Sequence, residues 1–93
     1  MPFELDLPDR LKQEGWKVKI RDKERLEPPH ATVLRGPVHW RLDLRTGGLM
    51  SPPGGTWRDL PEDLRAQLIS HRLVLIRAWD RMYPSNPVGG SYD

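Results

Sequence analysis

Two segments of this chain alternate with a period of two, and that alternation limits what the chain can fold into more than any other feature. In "WKVKIR", residues 16–21, Trp16, Val18 and Ile20 fall on one side and Lys17, Lys19 and Arg21 on the other. In "VHWRLDLR", residues 38–45, Val38, Trp40, Leu42 and Leu44 alternate with His39, Arg41, Asp43 and Arg45. An extended chain turns successive side chains to opposite faces, so each segment reads as a half-buried strand with one apolar and one charged face. A shorter strand, about His30–Arg35, lies between them. Arg35-Gly36-Pro37 then makes a tight turn, because Gly36 can take a positive φ. Thr46–Gly48 is a second turn, and Leu49-Met50 returns as a brief fourth strand. Connections this short favour antiparallel pairing, since a parallel crossover needs about a dozen residues.

The apolar side of such a sheet needs a cover. From Leu60 to Met82 the chain holds no glycine and only Pro61, close to its start. Leu64, Leu68, Leu75, Trp79 and Met82 form a helical stripe, widened by Ile69, Leu73 and Ile76. Asp59 and Glu62 have capping-box spacing, Pro61 suits a first turn, and Pro84 ends the helix. Near the other end, Phe3, Leu5 and Leu7 suggest an extended entry. A short helix over Pro8–Glu14 follows, with Asp6 as its cap and Gly15 as its stop. "SPPGGT", residues 51–56, is a loop.

The expected fold is α+β: an antiparallel meander of three to four strands, one long C-terminal helix on one face, and a short N-terminal helix. The expected organisation is an N-terminal arm over 1–15, one domain over 16–83, and a flexible tail over 84–93. With 93 residues and no cysteine, disulfides and thiolate zinc sites are excluded. Residues 1–10 lack a basic region followed by an apolar one, and no apolar run nears the roughly 20 residues of a membrane span. A cytoplasmic protein without membrane contact is expected. Net charge is only +2, but residues 1–15 carry four acids and two bases, whereas residues 16–25 carry five bases and two acids.

Alternation gives that charge a place. If Trp16, Val18, Ile20, Val38, Trp40, Leu42 and Leu44 lie under the helix, the opposite face carries Lys17, Lys19, Arg21, His39, Arg41 and Arg45, with Asp43 as its acid. Thr32 and Leu34 belong to the same face. It reads either as a solvated surface that discourages edge-to-edge association or as a positive surface for phosphate or an acidic partner. No aromatic residue interleaves the cations, so stacking of single-stranded bases is not supported. Trp16, Trp40 and Trp79 belong to core stripes, each N–H needing an acceptor. Trp57 either staples the helix start or makes an exposed contact.

"EPPH", residues 27–30, is a rigid lead-in, because Pro28 and Pro29 hold the preceding residues extended. His30 is then a hydrogen-bonded strand start or, with Arg25 and Glu27 close by, a general base beside a phosphate clamp and an orienting carboxylate. His39 and His71 lack metal-ligand spacing to His30 or to each other, so no metal or other cofactor is expected.

"EPPHATVLRG…WRLDLRTGGLM" and the later "AWDRMYP" resemble the small bacterial family catalogued as domain of unknown function 4160. The likeness spans about residues 16–83 and rests on Pro28, Pro29, His30, Val33, Thr46, Gly47 and Trp79, with the family's PPH-x-H-V motif at its centre. The motif's second histidine is Thr32 here, so any two-histidine site of the family is missing from this chain. Members are often encoded beside a second short protein, as in a toxin–antitoxin pair. The resemblance implies one half of a two-protein system with a small cognate protein; the sheet adds the expectation of a non-catalytic binding module whose basic face or open strand edge takes an acidic protein partner or nucleic acid, or pairs two copies. The competing reading is a small metal-independent ribonuclease-like toxin with His30 as general base and Arg25 or Arg41 on phosphate.

Overall fold

The computed structural model describes residues 3–22, 26–51 and 56–89. Five strands form one antiparallel sheet in sequence order: β1 (Phe3–Glu4), β2 (Trp16–Ile20), β3 (His30–Arg35), β4 (Val38–Asp43) and β5 (Leu49–Ser51). Helix α1 (Asp9–Gln13) lies between β1 and β2, and α2 (Glu62–Ser70) and α3 (Arg72–Met82) follow the sheet. The α+β class agrees with the sequence; the fifth strand comes from the N-terminal segment. Phe3 pairs with Ile20 and Glu4 with Lys19, so the extended entry is an edge strand. Leu5, Leu7 and Leu11 join one core cluster with Val18, Ile20, Val33, Leu64 and Trp79.

The register fixes the two faces. Val18 pairs with Val33 and Val33 with Trp40, while Ala31 pairs with Leu42. Cross-strand partners share a face, so these side chains form the apolar layer, and Leu64, Leu68, Leu75 and Trp79 cover it from the helices. The layer runs out at the far end of β4, where Val38 is 51% exposed and Trp40 half-buried. Trp16 packs there against Trp40, ring centroids 5.5 Å apart, with the Arg35 guanidinium 5.5 Å from the Trp16 ring. Trp57 and Trp79 donate their N–H groups to Gly47 O and Asn86 O. The buried Trp16 N–H has no acceptor among the described residues.

Several boundaries differ from the sequence reading for identifiable reasons. The C-terminal rod is two helices, not one, broken at His71 (φ −106°, ψ 15°). His71 Nδ1–H competes there for the Gln67 carbonyl at 3.0 Å. Ile69 and Leu73 face away from the sheet, 71% and 56% exposed, rather than widening the buried stripe. The capping box lies one turn earlier than expected. Leu60 is extended (φ −103°, ψ 141°), as a residue before proline prefers, so Asp59 cannot cap α2. Asp59 instead accepts from Thr56 N–H at 2.9 Å and closes a box around the single 3₁₀ turn Trp57–Asp59. Asp6 does not cap α1; its carboxylate pairs with Lys12 at 2.6 Å, and Gly15 (φ +91°) ends that helix.

Strand β4 stops at Asp43 rather than Arg45. Asp43 Oδ1 accepts the N–H groups of Arg45 (2.7 Å) and Thr46 (3.2 Å), a local turn that competes with further pairing. Residues 84–89, expected as the start of a flexible tail, are fastened to the domain. Val88 is buried, its N–H donates to Asp80 at 2.8 Å, and Asn86 Nδ2–H donates to Glu27 O at 2.8 Å. Residues 90–93 lie outside the described residues. Among the described residues, no helix is long and apolar enough to cross a membrane.

Candidate functional site

The helix-free face of the sheet is built by two cross-strand rows. Lys17 pairs with Leu34 and Leu34 with His39; Lys19 pairs with Thr32 and Thr32 with Arg41. All six side chains therefore share one face, and none of the described helices covers it. Lys17 and His39 are exposed, while Lys19, Leu34 and Arg41 are half-buried. Thr32 is only 2% exposed because it is a short side chain on the central strand, set between the long stems of Lys19 and Arg41. The sequence placed these residues on one face; the register supplies the order in which they meet.

Carboxylates temper the charge of this face. Glu4, brought alongside by β1, reaches Lys19 Nζ at 3.6 Å, and Glu27, at the end of the charged connection, reaches Arg41 at 3.0 Å. Exposed pairs of this kind add little stability, yet they decide which cations remain available. Lys17 makes no ion pair among the described residues. The face is thus a mixed surface with Leu34 between Lys17 and His39, not the five-cation platform that alternation alone suggests. Arg45 leaves the face altogether. Its guanidinium donates to Val88 O at 2.9 Å and to Pro87 O at 3.1 Å and pins the C-terminal segment. Arg21, exposed just beyond β2, offers its backbone carbonyl to the Tyr83 hydroxyl.

His30 sits at the start of β3 and is 0% exposed. Its Nδ1–H donates to Pro28 O at 2.8 Å, since a carbonyl can only accept. Its ring lies 5.6 Å from that of Trp79, which in turn packs at a tilt of 41° against Tyr83, centroids 4.3 Å apart. The two prolines hold the chain straight so that Pro29 O still accepts from Leu44 N–H at 3.1 Å. His30 is thereby locked between the lead-in and α3. Glu27 is half-buried and engaged by Arg41, so the structure does not assemble His30 and Glu27 into a shared solvent-facing group. Arg25 lies outside the described residues. Among the described residues, no group of three or more His, Asp or Glu side chains could hold a metal ion.

One cleft had no clear sequence signal. Leu42, Leu44, Trp57, Leu68, Ile69 and Arg72 line a cavity of about 320 Å³ between the sheet and α2. Arg72 bends back over it to donate to Leu44 O and Arg45 O at 3.3 and 3.1 Å. Its acceptors are carbonyls at the Asp43 turn, which periodicity does not report.

No protein-family model, curated protein or solved structure matches the chain.

Proposed function

We propose that this chain is a small binding module, one component of a two-protein system of toxin–antitoxin type, whose helix-free sheet face receives an acidic protein partner. The observation that carries the reading is the register that sets Lys17, Leu34 and His39 side by side on a face left open by all described helices. Such a row offers one available ammonium, one imidazole and an apolar centre, the mixture of charge and apolar area that protein interfaces use.

Nucleic acid is the weaker ligand class for this face. Phosphate binding draws on unpaired cations, and Lys19 and Arg41 already hold carboxylates. Among the described residues no Phe, Tyr or Trp lies on this face for base stacking. A ribonuclease-like reaction through His30 would need that imidazole within hydrogen-bond reach of a ribose hydroxyl, and the ring has no solvent-exposed surface.

The test is retention of a partner by purified wild type and by the double variant Lys17→Glu, His39→Glu, which spares both ion pairs and the core. Wild type should hold a defined acidic protein through purification with or without nuclease, and the double variant should release it while keeping its circular dichroism spectrum. Equal retention by both proteins rules the face out, and release by nuclease alone moves the reading to nucleic acid.

A further inference from the structure

A second surface lies on the helices. Ile69, Leu73 and Val74 are large apolar residues left in water beside the break at His71. Ala66, Ile69 and Leu73 recur at spacings of three and four and so share one stripe. His71 alone joins the two helices: its N–H closes α2 on Gln67 O and its carbonyl opens α3 by accepting Leu75 N–H, both at 3.0 Å. Next to this ridge, Trp57, Glu62, Arg65, Ala66 and Ile69 line a shallow, mainly apolar depression of about 450 Å³. A protruding leucine at the start of α3 thus follows closely on a hollow of matching character on α2.

Charge along the stripe selects the occupant. Glu62 stands at one end and Arg77 at the other; both are exposed and neither makes an ion pair among the described residues. The surface is therefore complementary to its own reversed copy. We infer that two copies of this chain pair through α2 and α3 about a two-fold axis beside Ile69 and Ser70. That axis lays Leu73 of each copy into the hollow over Ala66 and Trp57 of the other, and Arg77 of each against Glu62 of the other. Every contact then occurs twice, as an isologous interface requires, and the partner-binding sheet face stays open on both copies.

Sedimentation equilibrium on the full chain tests the pairing. Wild type should show a concentration-dependent monomer–dimer equilibrium. Leu73→Asp, an exchange at an exposed position, should leave only monomer with an unchanged circular dichroism spectrum; Ile69→Lys serves as an independent second variant. Glu62→Arg and Arg77→Glu should each weaken the dimer about tenfold, since each reversal affects two symmetry-related pairs, and the doubly reversed protein should regain wild-type affinity. A monomeric wild type, a dimer indifferent to Leu73→Asp and Ile69→Lys, or a double reversal that fails to recover would each overturn the pairing.

Discussion

Replacing His30 with alanine removes an imidazole with no exposed surface, whose ring centroid lies 5.6 Å from that of Trp79 and whose Nδ1–H holds Pro28 O. Losing the hydrogen bond costs about 1 kcal/mol, more if the carbonyl is left without a partner. Large-to-small replacement in a packed site adds about 2–3 kcal/mol, depending on how far Trp79 and Ala31 relax into the space. The sum, about 3–4 kcal/mol, is a large share of the roughly 5–15 kcal/mol that holds a domain together. For a chain of this length it lowers the melting temperature by about 15 °C or more. Urea denaturation followed by both tryptophan fluorescence and far-UV circular dichroism measures the change. His30→Asn, whose amide N–H can occupy the place of Nδ1–H, should recover about 1 kcal/mol of the loss. A loss under about 0.5 kcal/mol, the range of ordinary surface substitutions, would refute the argument that this histidine is a packed strand anchor.

Two further predictions address the turns and the N-terminal segment. Gly47 has φ +82°, so Gly47→Ala should destabilise by about 1–2 kcal/mol through backbone strain alone, read from the shift in urea midpoint; an unchanged midpoint contradicts the left-handed turn. A hydrogen bond from Lys12, and then its charge, holds the Asp6 carboxyl below its ordinary 3.8. A carboxyl depressed in the folded state contributes stability above its unfolded pKa and loses it as pH falls through the folded value, so this contribution is present at neutral pH and disappears on acidification below 3.8. An NMR titration should place the Asp6 midpoint below 3.8 in wild type and higher in Lys12→Gln; identical midpoints in the two proteins contradict the pair.

What was legible in the sequence is what depends on neighbours along the chain. Alternation through Trp16–Ile20 and through Leu42 assigned both faces of the sheet, and Gly36 (φ +58°) marked its turn. Leu64, Leu68, Leu75 and Trp79 marked the cover. What stayed hidden depends on groups that meet only in space. Glu4 and Glu27 reach Lys19 and Arg41 across strand pairs and a connection, and no periodicity within one segment reports such a meeting. Arg45 and Arg72 reach backbone carbonyls of the C-terminal segment and of the Asp43 turn, contacts between segments distant in sequence. At His71 the ring N–H and the backbone N–H share the Gln67 carbonyl, a local arrangement that the apolar count of the helix does not report. His30 was readable as a strand start from its prolines, but its complete burial required the ring of Trp79 from the far end of the fold.

The central claim, that the sheet face opposite the helices is where a partner sits, is tested most directly by lysine acetylation footprinting of the free protein and of its purified complex. Lys17 stands on that face, whereas Lys12 stands on α1 beside Asp6 and serves as an internal control. The account predicts that Lys17 loses its reactivity in the complex while Lys12 keeps its own. Lys17 reacting equally in the free and bound protein would contradict it.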